Sequence, residues 1–173
     1  MTPREIETAL EGMVVLVDTR EQDTARLRAR LEQIGKYERK TLNHGDYSAK
    51  FPVCDGYDVW YKLNVCIERK SDFNELTQCY CSGRERFARE FNRAEQARTK
   101  MYLLVENADW ESAYRGNYIS LMKPKSFIAS MLTWAARYNC SIMFCSERTG
   151  GKLIRDILYY EGREMLERMM TDG

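Results

Sequence analysis

The segment Ile67-Glu68-Arg69-Lys70 places a carboxylate and an ammonium two residues apart. Its pattern predicts the end of a β-strand, in which successive side chains alternate between faces. Glu68 and Lys70 are therefore expected to point the same way and Arg69 the other way. If the upstream Asp46 came alongside Glu68, the two carboxylates would form one pocket with the ammonium beside them. Such a pocket suits a hard divalent cation, an oxygen-rich substrate and an activated water.

A third acid, Asp18, directly follows the apolar run 14–17. Acids at strand ends lie where α/β sheets usually place their chemistry. Asp18 and Asp46 each also fit a turn or capping role, and it is the combination with the Glu68 strand that favours a site. The single histidine, His44, excludes a paired-histidine zinc motif, and a turn role suits it better than proton transfer.

Length and composition indicate an ordinary globular domain. The 173 residues suffice for one domain with a substantial core. The net charge of +1 provides no global basic field, so any nucleic-acid contact must rest on a local patch. No apolar run is long enough to span a membrane. The spacing of the cysteines predicts reduced thiols in a cytoplasmic protein rather than a disulfide scaffold; they are Cys54, Cys66, Cys79, Cys81, Cys140 and Cys145.

Predicted strands and helices alternate along the chain, which indicates an α/β fold with a mixed sheet between helices. Apolar runs predict strands at 13–17, 37–42, 64–69, 101–106 and 141–145. Asp55-Gly56 predicts a hairpin turn within 51–62. Helical periodicity, with Asp23 as the first cap, predicts helices at 23–34, 83–100, 125–138 and 149–169.

Taken together, these motifs resemble the nuclease domain of the XPF family, within the PD-(D/E)xK nuclease superfamily. The shared order is Val-Asp-Thr-Arg-Glu at 17–21, Gly-Asp-Tyr at 45–47 and Glu-Arg-Lys at 68–70, and the similarity spans roughly 14–158. The resemblance implies a restriction-endonuclease-like fold, a mixed central sheet flanked by helices, in a single XPF-type nuclease domain over 1–173. The compact chain is similar to stand-alone nucleases of bacterial and phage or prophage origin.

The resemblance also implies a mechanism of phosphodiester hydrolysis. Mg²⁺ or Mn²⁺ would be held by Asp46 and Glu68, with the carbonyl of Arg69 as a further ligand and Asp18 as a ligand of the same or a second ion. Lys70 would position or deprotonate the attacking water, or hold the scissile phosphate. The Arg69 side chain fits a phosphate contact and a structural ion pair equally well.

One position departs from the family pattern. The family usually carries a further acid four residues beyond the lysine, and this chain has Asn74 there. Asp72 and Glu75 flank that position, and both are candidates for the extra acid.

Basic residues indicate where DNA would bind. The predicted helix 83–100 has arginines near one exposed line, but glutamates are interspersed, so phosphate contact and a merely solvated face both stay open. Arg84, near the start of that helix and close to the strand of the site, is the better individual candidate for a phosphate contact. The candidate DNA contacts are Arg20, Arg84, Arg86, Arg89 and Arg93.

Two classes of function follow. The first is a metal-dependent DNA endonuclease, selective for flaps, forks or branched DNA in repair or recombination. The second is a catalytically silent DNA-binding or dimerisation module of the same fold. Inactive partners in this family usually lose the acids or the lysine, and this chain keeps Asp18, Asp46, Glu68 and Lys70, which favours the enzyme. The expected partners are DNA, a second copy of the chain and a targeting protein, with no membrane.

Overall fold

A computed structural model describes residues 1–53 and 59–171. Within these residues the secondary-structure elements follow one another in this order: α1 (Pro3–Glu11), β1 (Val14–Val17), α2 (Ala25–Ile34), β2 (Tyr37–Arg39), β3 (Tyr47–Pro52), β4 (Trp60–Lys62), β5 (Val65–Lys70), α3 (Phe73–Tyr80), α4 (Arg84–Gln96), β6 (Lys100–Glu106), α5 (Trp110–Arg115), α6 (Pro124–Tyr138), β7 (Ser141–Cys145) and α7 (Gly150–Thr171).

The strands of the described residues form one seven-stranded mixed sheet. Its order is β2-β1-β3-β5-β6-β7, and β4 pairs with β3. Strand β3 runs antiparallel to both β1 and β5, whereas the pairs β1–β2, β5–β6 and β6–β7 are parallel. Tyr47, the first residue of β3, pairs with Val17 at the end of β1 and with Ile67 near the end of β5. The start of β3 and the ends of β1 and β5 therefore meet at one edge of the sheet.

Helices cover both faces of the sheet, which confirms the predicted α/β class. On one face α1, α2 and α7 supply a cluster that includes Leu10, Leu27 and Leu158. On the other face α3 to α6 supply an aromatic cluster that includes Phe73 and Trp134. Burial of both apolar faces provides the main driving force for this arrangement.

Several predicted boundaries differ from the structure for local reasons. Helix α2 is capped by Thr24, whose side chain accepts the Leu27 N–H at 3.1 Å, and not by Asp23. The second strand ends at residue 39 rather than 42. Helix α4 ends at residue 96 rather than 100, because the chain turns out of the helix and Arg98 adopts a left-handed conformation, with φ of 54°.

Three helices were missing from the sequence-based prediction, although each begins at a side-chain cap. Thr2 and Glu5 form a reciprocal capping box before α1, Asp72 caps α3 and Asp109 caps α5. These helices have six to nine residues, too few for a clear hydrophobic period. The predicted hairpin turn at Asp55-Gly56 lies outside the described residues.

Cysteines and helix lengths can be compared across residues 1–53 and 59–171. The five cysteines among the described residues are free thiols. In the same residues, no helix combines the length and the apolar character that crossing a membrane requires.

Candidate active site

The loop before β3 brings one carboxylate to the sheet edge. Gly45 has a φ of +62°, and a Cβ on it would lie 2.9 Å from the carbonyl oxygen of Ile67, so a glycine is required there. The next residue, Asp46, donates its backbone N–H to the same carbonyl at 2.8 Å. Its own carbonyl accepts the N–H of Asp18, also at 2.8 Å. Asp46 is thus fixed between the ends of β1 and β5.

Strand β5 supplies the second carboxylate and the ammonium. Lys70 Nζ donates to Glu68 Oε1 at 2.6 Å, so both side chains lie on one side of the strand, as alternation predicts. Both are buried, with 4% of Glu68 and 8% of Lys70 exposed. Arg69 points to the other side, where it pairs with Glu106 at 3.2 Å. Of the two roles that the sequence leaves open for Arg69, the structural ion pair is present.

Asp46 and Glu68 line the same cleft, which has a volume of about 450 Å³. The backbone N–H of Arg69 donates to Asp46 Oδ2 at 2.8 Å and orients that carboxylate. The cleft is lined by acids and bases in equal numbers. The acids are Glu21, Asp46, Glu68, Glu75 and Glu90, and the bases are Arg20, Arg30, Arg69, Lys70 and Arg86.

The charge balance around the two carboxylates shifts their proton affinity. Burial raises the pKa of Asp46 well above its usual value, and the nearby Glu68 and Glu21 raise it further. Burial likewise raises the pKa of Glu68, although Lys70 opposes that effect. Burial alone would lower the pKa of Lys70, but the neighbouring groups, Glu68 foremost among them, together outweigh burial and raise it, so Lys70 is an ammonium at neutral pH.

The raised pKa values of Asp46 and Glu68 indicate that ionising these side chains is unfavourable when no cation lies beside them. A bound cation would make their ionised forms more favourable. Mg²⁺ is typically held by one or two carboxylates together with water and substrate phosphates. In the part of the chain that the structure describes, no three His, Cys, Asp or Glu side chains surround a common ion position. A donor set of Asp46 and Glu68 fits the magnesium pattern.

Comparison with known proteins assigns the family. The model of the ERCC4 domain matches residues 17–150, which is most of the chain. The chain belongs to the ERCC4 domain family. The resemblance to XPF-family nucleases that the motifs predict is thereby confirmed. A sequence search against curated proteins found no significant match.

Solved structures of XPF share the fold of this ERCC4 domain. XPF from Aeropyrum pernix is 21% identical with a TM-score of 0.61, and the alignment covers 91% of this chain and 69% of that one. A structure of the same protein, described as a complex with DNA, is 23% identical with a TM-score of 0.59 and coverages of 85% and 63%. The chain therefore spans about two thirds of the length of these XPF structures.

In this ERCC4 domain Asp18 has a different environment from the other two acids. Its Oδ1 accepts the backbone N–H and the Nε of Arg20, both at 2.7 Å, and its Oδ2 accepts the Arg20 Nη2 at 3.0 Å and the Leu42 N–H at 2.7 Å. Burial opposes these hydrogen bonds, but together they lower the pKa of Asp18. Both oxygens are used to join two loops, and Asp18 is absent from the lining of the cleft. Glu21, which the sequence motifs did not single out as a site residue, faces the cleft instead.

The two candidates for the extra acid are separated by their contacts. Asp72 caps α3 by accepting the Glu75 N–H at 2.9 Å. Glu75 lines the cleft, accepts the N–H and hydroxyl of Ser71, and lies 3.6 Å from Lys70. Asn74 accepts the backbone N–H of Ile119 at 2.6 Å. Of the two acids, Glu75 is the one beside the ammonium.

The candidate DNA-binding arginines fall into two groups. Arg20 and Arg86 line the cleft with the carboxylates. Arg84, Arg89 and Arg93 lie on the exposed surface of α4, outside the cleft lining. Within that group Arg84 lies near the ring of a core tryptophan, at 5.8 Å. Arg89 pairs with a glutamate of the same helix at 3.8 Å. Arg20 and Arg86 are therefore placed to contact a phosphate bound beside the carboxylates.

Proposed function

We propose that this ERCC4 domain is a divalent-metal-dependent DNA endonuclease that hydrolyses phosphodiester bonds in the cleft at the start of β3 and the end of β5. The observation that carries the proposal is the location of Asp46, Glu68 and Lys70 in one cleft. Two carboxylates that resist ionisation and one ammonium form a site that favours a cation and a phosphate together. The family membership supports the same chemistry.

Four residues of the cleft have tasks in this proposal. Asp46 and Glu68 would hold a Mg²⁺ or Mn²⁺ ion, which when bound would supply charge neutralisation and a water of lowered pKa. Lys70 is protonated, so it orients the attacking water or holds the scissile phosphate, where negative charge grows during hydrolysis. Arg20 contacts a neighbouring phosphate from the position in which Asp18 fixes it.

Arg86, on α4, also lines the cleft and so continues its basic lining onto that helix. Arg93 is exposed two turns further along α4, and the two side chains together hold a DNA backbone along the helix. XPF from Aeropyrum pernix, which is 23% identical, has been solved in complex with DNA, and this supports DNA as the ligand of this chain.

The proposal also covers the DNA structures that are cleaved and the partners that are needed. We propose cleavage that is selective for flaps, forks or branched DNA, in repair or recombination. Because the net charge is +1, a second copy of the chain or a targeting protein supplies the additional contact that a junction requires. A cytoplasmic location is part of the same proposal.

The deciding experiment incubates the protein with flap, fork, splayed-arm and linear DNA in Mg²⁺, Mn²⁺ or EDTA. Asp46→Asn and Glu68→Gln are expected to lower cleavage by about 10²-fold or more, and the exposed Asp156→Asn on α7 serves as the matched control. Cleavage in EDTA, or undiminished cleavage by Asp46→Asn, contradicts the assignment of the site. DNA binding without cleavage of any substrate favours the catalytically silent module.

A further inference from the structure

A buried carboxylate lies between two arginines behind the cleft. Glu106, the last residue of β6, is 1% exposed and Arg30 of α2 is 3% exposed. The Nε and Nη2 of Arg30 donate to Oε1 and Oε2 of Glu106 at 3.0 and 3.1 Å. Oε2 also accepts Nη1 of Arg69 at 3.2 Å. Glu106 is thus an anion shared by two cations that both line the cleft.

The free end of the Arg30 guanidinium leads to two residues of the site. Its Nη1 donates to the hydroxyl of Tyr47 at 3.1 Å and lies 3.7 Å from Oε2 of Glu21. The same hydroxyl donates to Glu21 Oε2 at 3.0 Å. Tyr47 is fully buried and directly follows Asp46 in the chain. Arg30 therefore restrains the cleft-lining Glu21 and the chain next to Asp46.

The second arginine leads to the other side of Asp46. Glu106 anchors the side chain of Arg69, and the backbone N–H of Arg69 donates to Asp46 Oδ2. One buried carboxylate consequently fixes the chain on β3 and the chain on β5, between which Asp46 lies.

The start of α7 closes over this pair and requires two glycines. A Cβ on Gly150 would lie 2.4 Å from Oε1 of Glu106, and a Cβ on Gly151 would lie 2.5 Å from the carbonyl oxygen of Arg30. This close approach explains why two glycines stand at the start of α7.

Stability alone is a poor explanation for such a pair. Replacing a buried ion pair by apolar side chains of similar size is often neutral or stabilising, because both charges lose their hydration on burial. Groups that orient metal ligands from behind, by contrast, strongly affect metal affinity.

We propose that Arg30 and Glu106 are positioning residues of the active site, which together hold Glu21 and the Asp46-Tyr47 backbone in place for the metal and the phosphodiester. This inference rests on the proposed function. Because Arg30 and Glu106 are almost completely buried, the effect should appear in metal affinity and kcat and leave the KM for DNA nearly unchanged.

The test replaces both charges together, as Arg30→Met with Glu106→Leu, so that neither is left buried alone. Arg69 reaches the cleft and keeps contact with solvent, with 14% of its side chain exposed. The matched control is Arg26→Met with Glu147→Leu, an exposed pair at 3.4 Å that also involves α2. The measurements are the Tm, Mn²⁺ binding by calorimetry, and kcat and KM on a flap substrate.

We expect the Arg30/Glu106 variant to keep the Tm of the unmodified protein while Mn²⁺ affinity and kcat each fall about 10- to 100-fold. The control pair should change neither. Mn²⁺ affinity and kcat equal to those of the unmodified protein would show that the pair is structural only and would overturn the inference.

If the double variant does not fold, a second variant tests the same inference. Arg30→Lys keeps a cation beside Glu106 but loses the planar fork that reaches Tyr47. A fall of about 10-fold in Mn²⁺ affinity supports the inference, and unchanged affinity overturns it. If the unmodified protein neither binds Mn²⁺ nor cleaves DNA, the proposed function fails; if it does both and the variants match it, only this inference fails.

Discussion

At the scale of single residues, two aspartates at the same sheet edge have opposite electrostatic characters. Asp18 accepts hydrogen bonds on both oxygens, and its pKa is lowered. Asp46 accepts one backbone N–H and faces other acids, and its pKa is raised. A carboxylate with a raised pKa destabilises the folded state when it is ionised, whereas one with a lowered pKa stabilises it.

The first prediction follows from this contrast. In EDTA at pH 7, Asp46→Asn should raise the Tm, because the amide keeps the acceptor for the backbone N–H of Arg69 and removes a carboxyl group whose ionisation is unfavourable in the folded state. In the unmodified protein, the contribution of Asp46 to the free energy of unfolding is fully present below the unfolded pKa of about 4. It is lost as pH rises through the raised folded pKa. Thermal unfolding across pH, without metal, measures both effects.

Asp18→Asn is the control for that experiment, and we expect it to lower the Tm at pH 7 rather than raise it. The contribution of Asp18 is present above a pH of about 4 and disappears as pH falls through its lowered folded pKa. We expect a loss of about 2 kcal/mol at pH 7, since charge-assisted hydrogen bonds are removed. A lower Tm for Asp46→Asn than for the unmodified protein in EDTA would refute the first prediction.

The second prediction concerns Lys70. Lys70→Ala should reduce turnover by about 10²- to 10³-fold and leave the Kd for DNA nearly unchanged, since its charge acts on the reacting phosphate. Single-turnover cleavage and DNA binding in Ca²⁺ separate the two quantities. The exposed Lys62→Ala is the matched control. An equal loss of binding and turnover would mean that Lys70 only attracts DNA.

At the scale of elements, local signals predicted most of the sheet. The strand carrying Glu68 and Lys70 follows from alternation alone, because side chains two residues apart share a face. The hydrogen bond between Asp18 and the backbone of Leu42 could not be predicted from residue spacing. The two residues are 24 positions apart, and their loops meet only in the folded sheet. The role of Glu106 depends equally on α2, which contacts it across 76 residues.

The third prediction belongs to α4. Arg86→Ala with Arg93→Ala should weaken DNA binding and reduce the slope of log K against log salt by about two, because each arginine neutralises about one phosphate. Turnover at saturating DNA should change little, because in the proposed mechanism Lys70 and the metal, rather than these arginines, act on the reacting phosphate. The control is Arg155→Ala with Arg168→Ala on α7, which covers the opposite face of the sheet. An unchanged salt slope would identify the α4 surface as merely solvated.

At the scale of the whole molecule, the family motifs predicted the class of fold but not the strand order. Asp46, Glu68 and Lys70 line one cleft because the start of β3 lies beside the end of β5, and the sequence patterns predict no strand over residues 47–50. The cleft also contains Glu21, Glu75 and Glu90, whose side chains are brought there by loop and helix packing. No periodicity in the sequence distinguishes such residues from ordinary surface acids.

The last prediction concerns the choice of substrate. A net charge of +1 gives the molecule little long-range attraction for duplex DNA, so binding must depend on contacts near the cleft. DNA that is already open or bent reaches such a cleft at a lower deformation cost than a uniform duplex does. We therefore expect faster cleavage of a flap or fork than of a blunt linear duplex with the same sequence, and the difference should widen as salt increases. Equal rates on both substrates, or cuts confined to one short sequence, would favour a non-selective or sequence-reading nuclease.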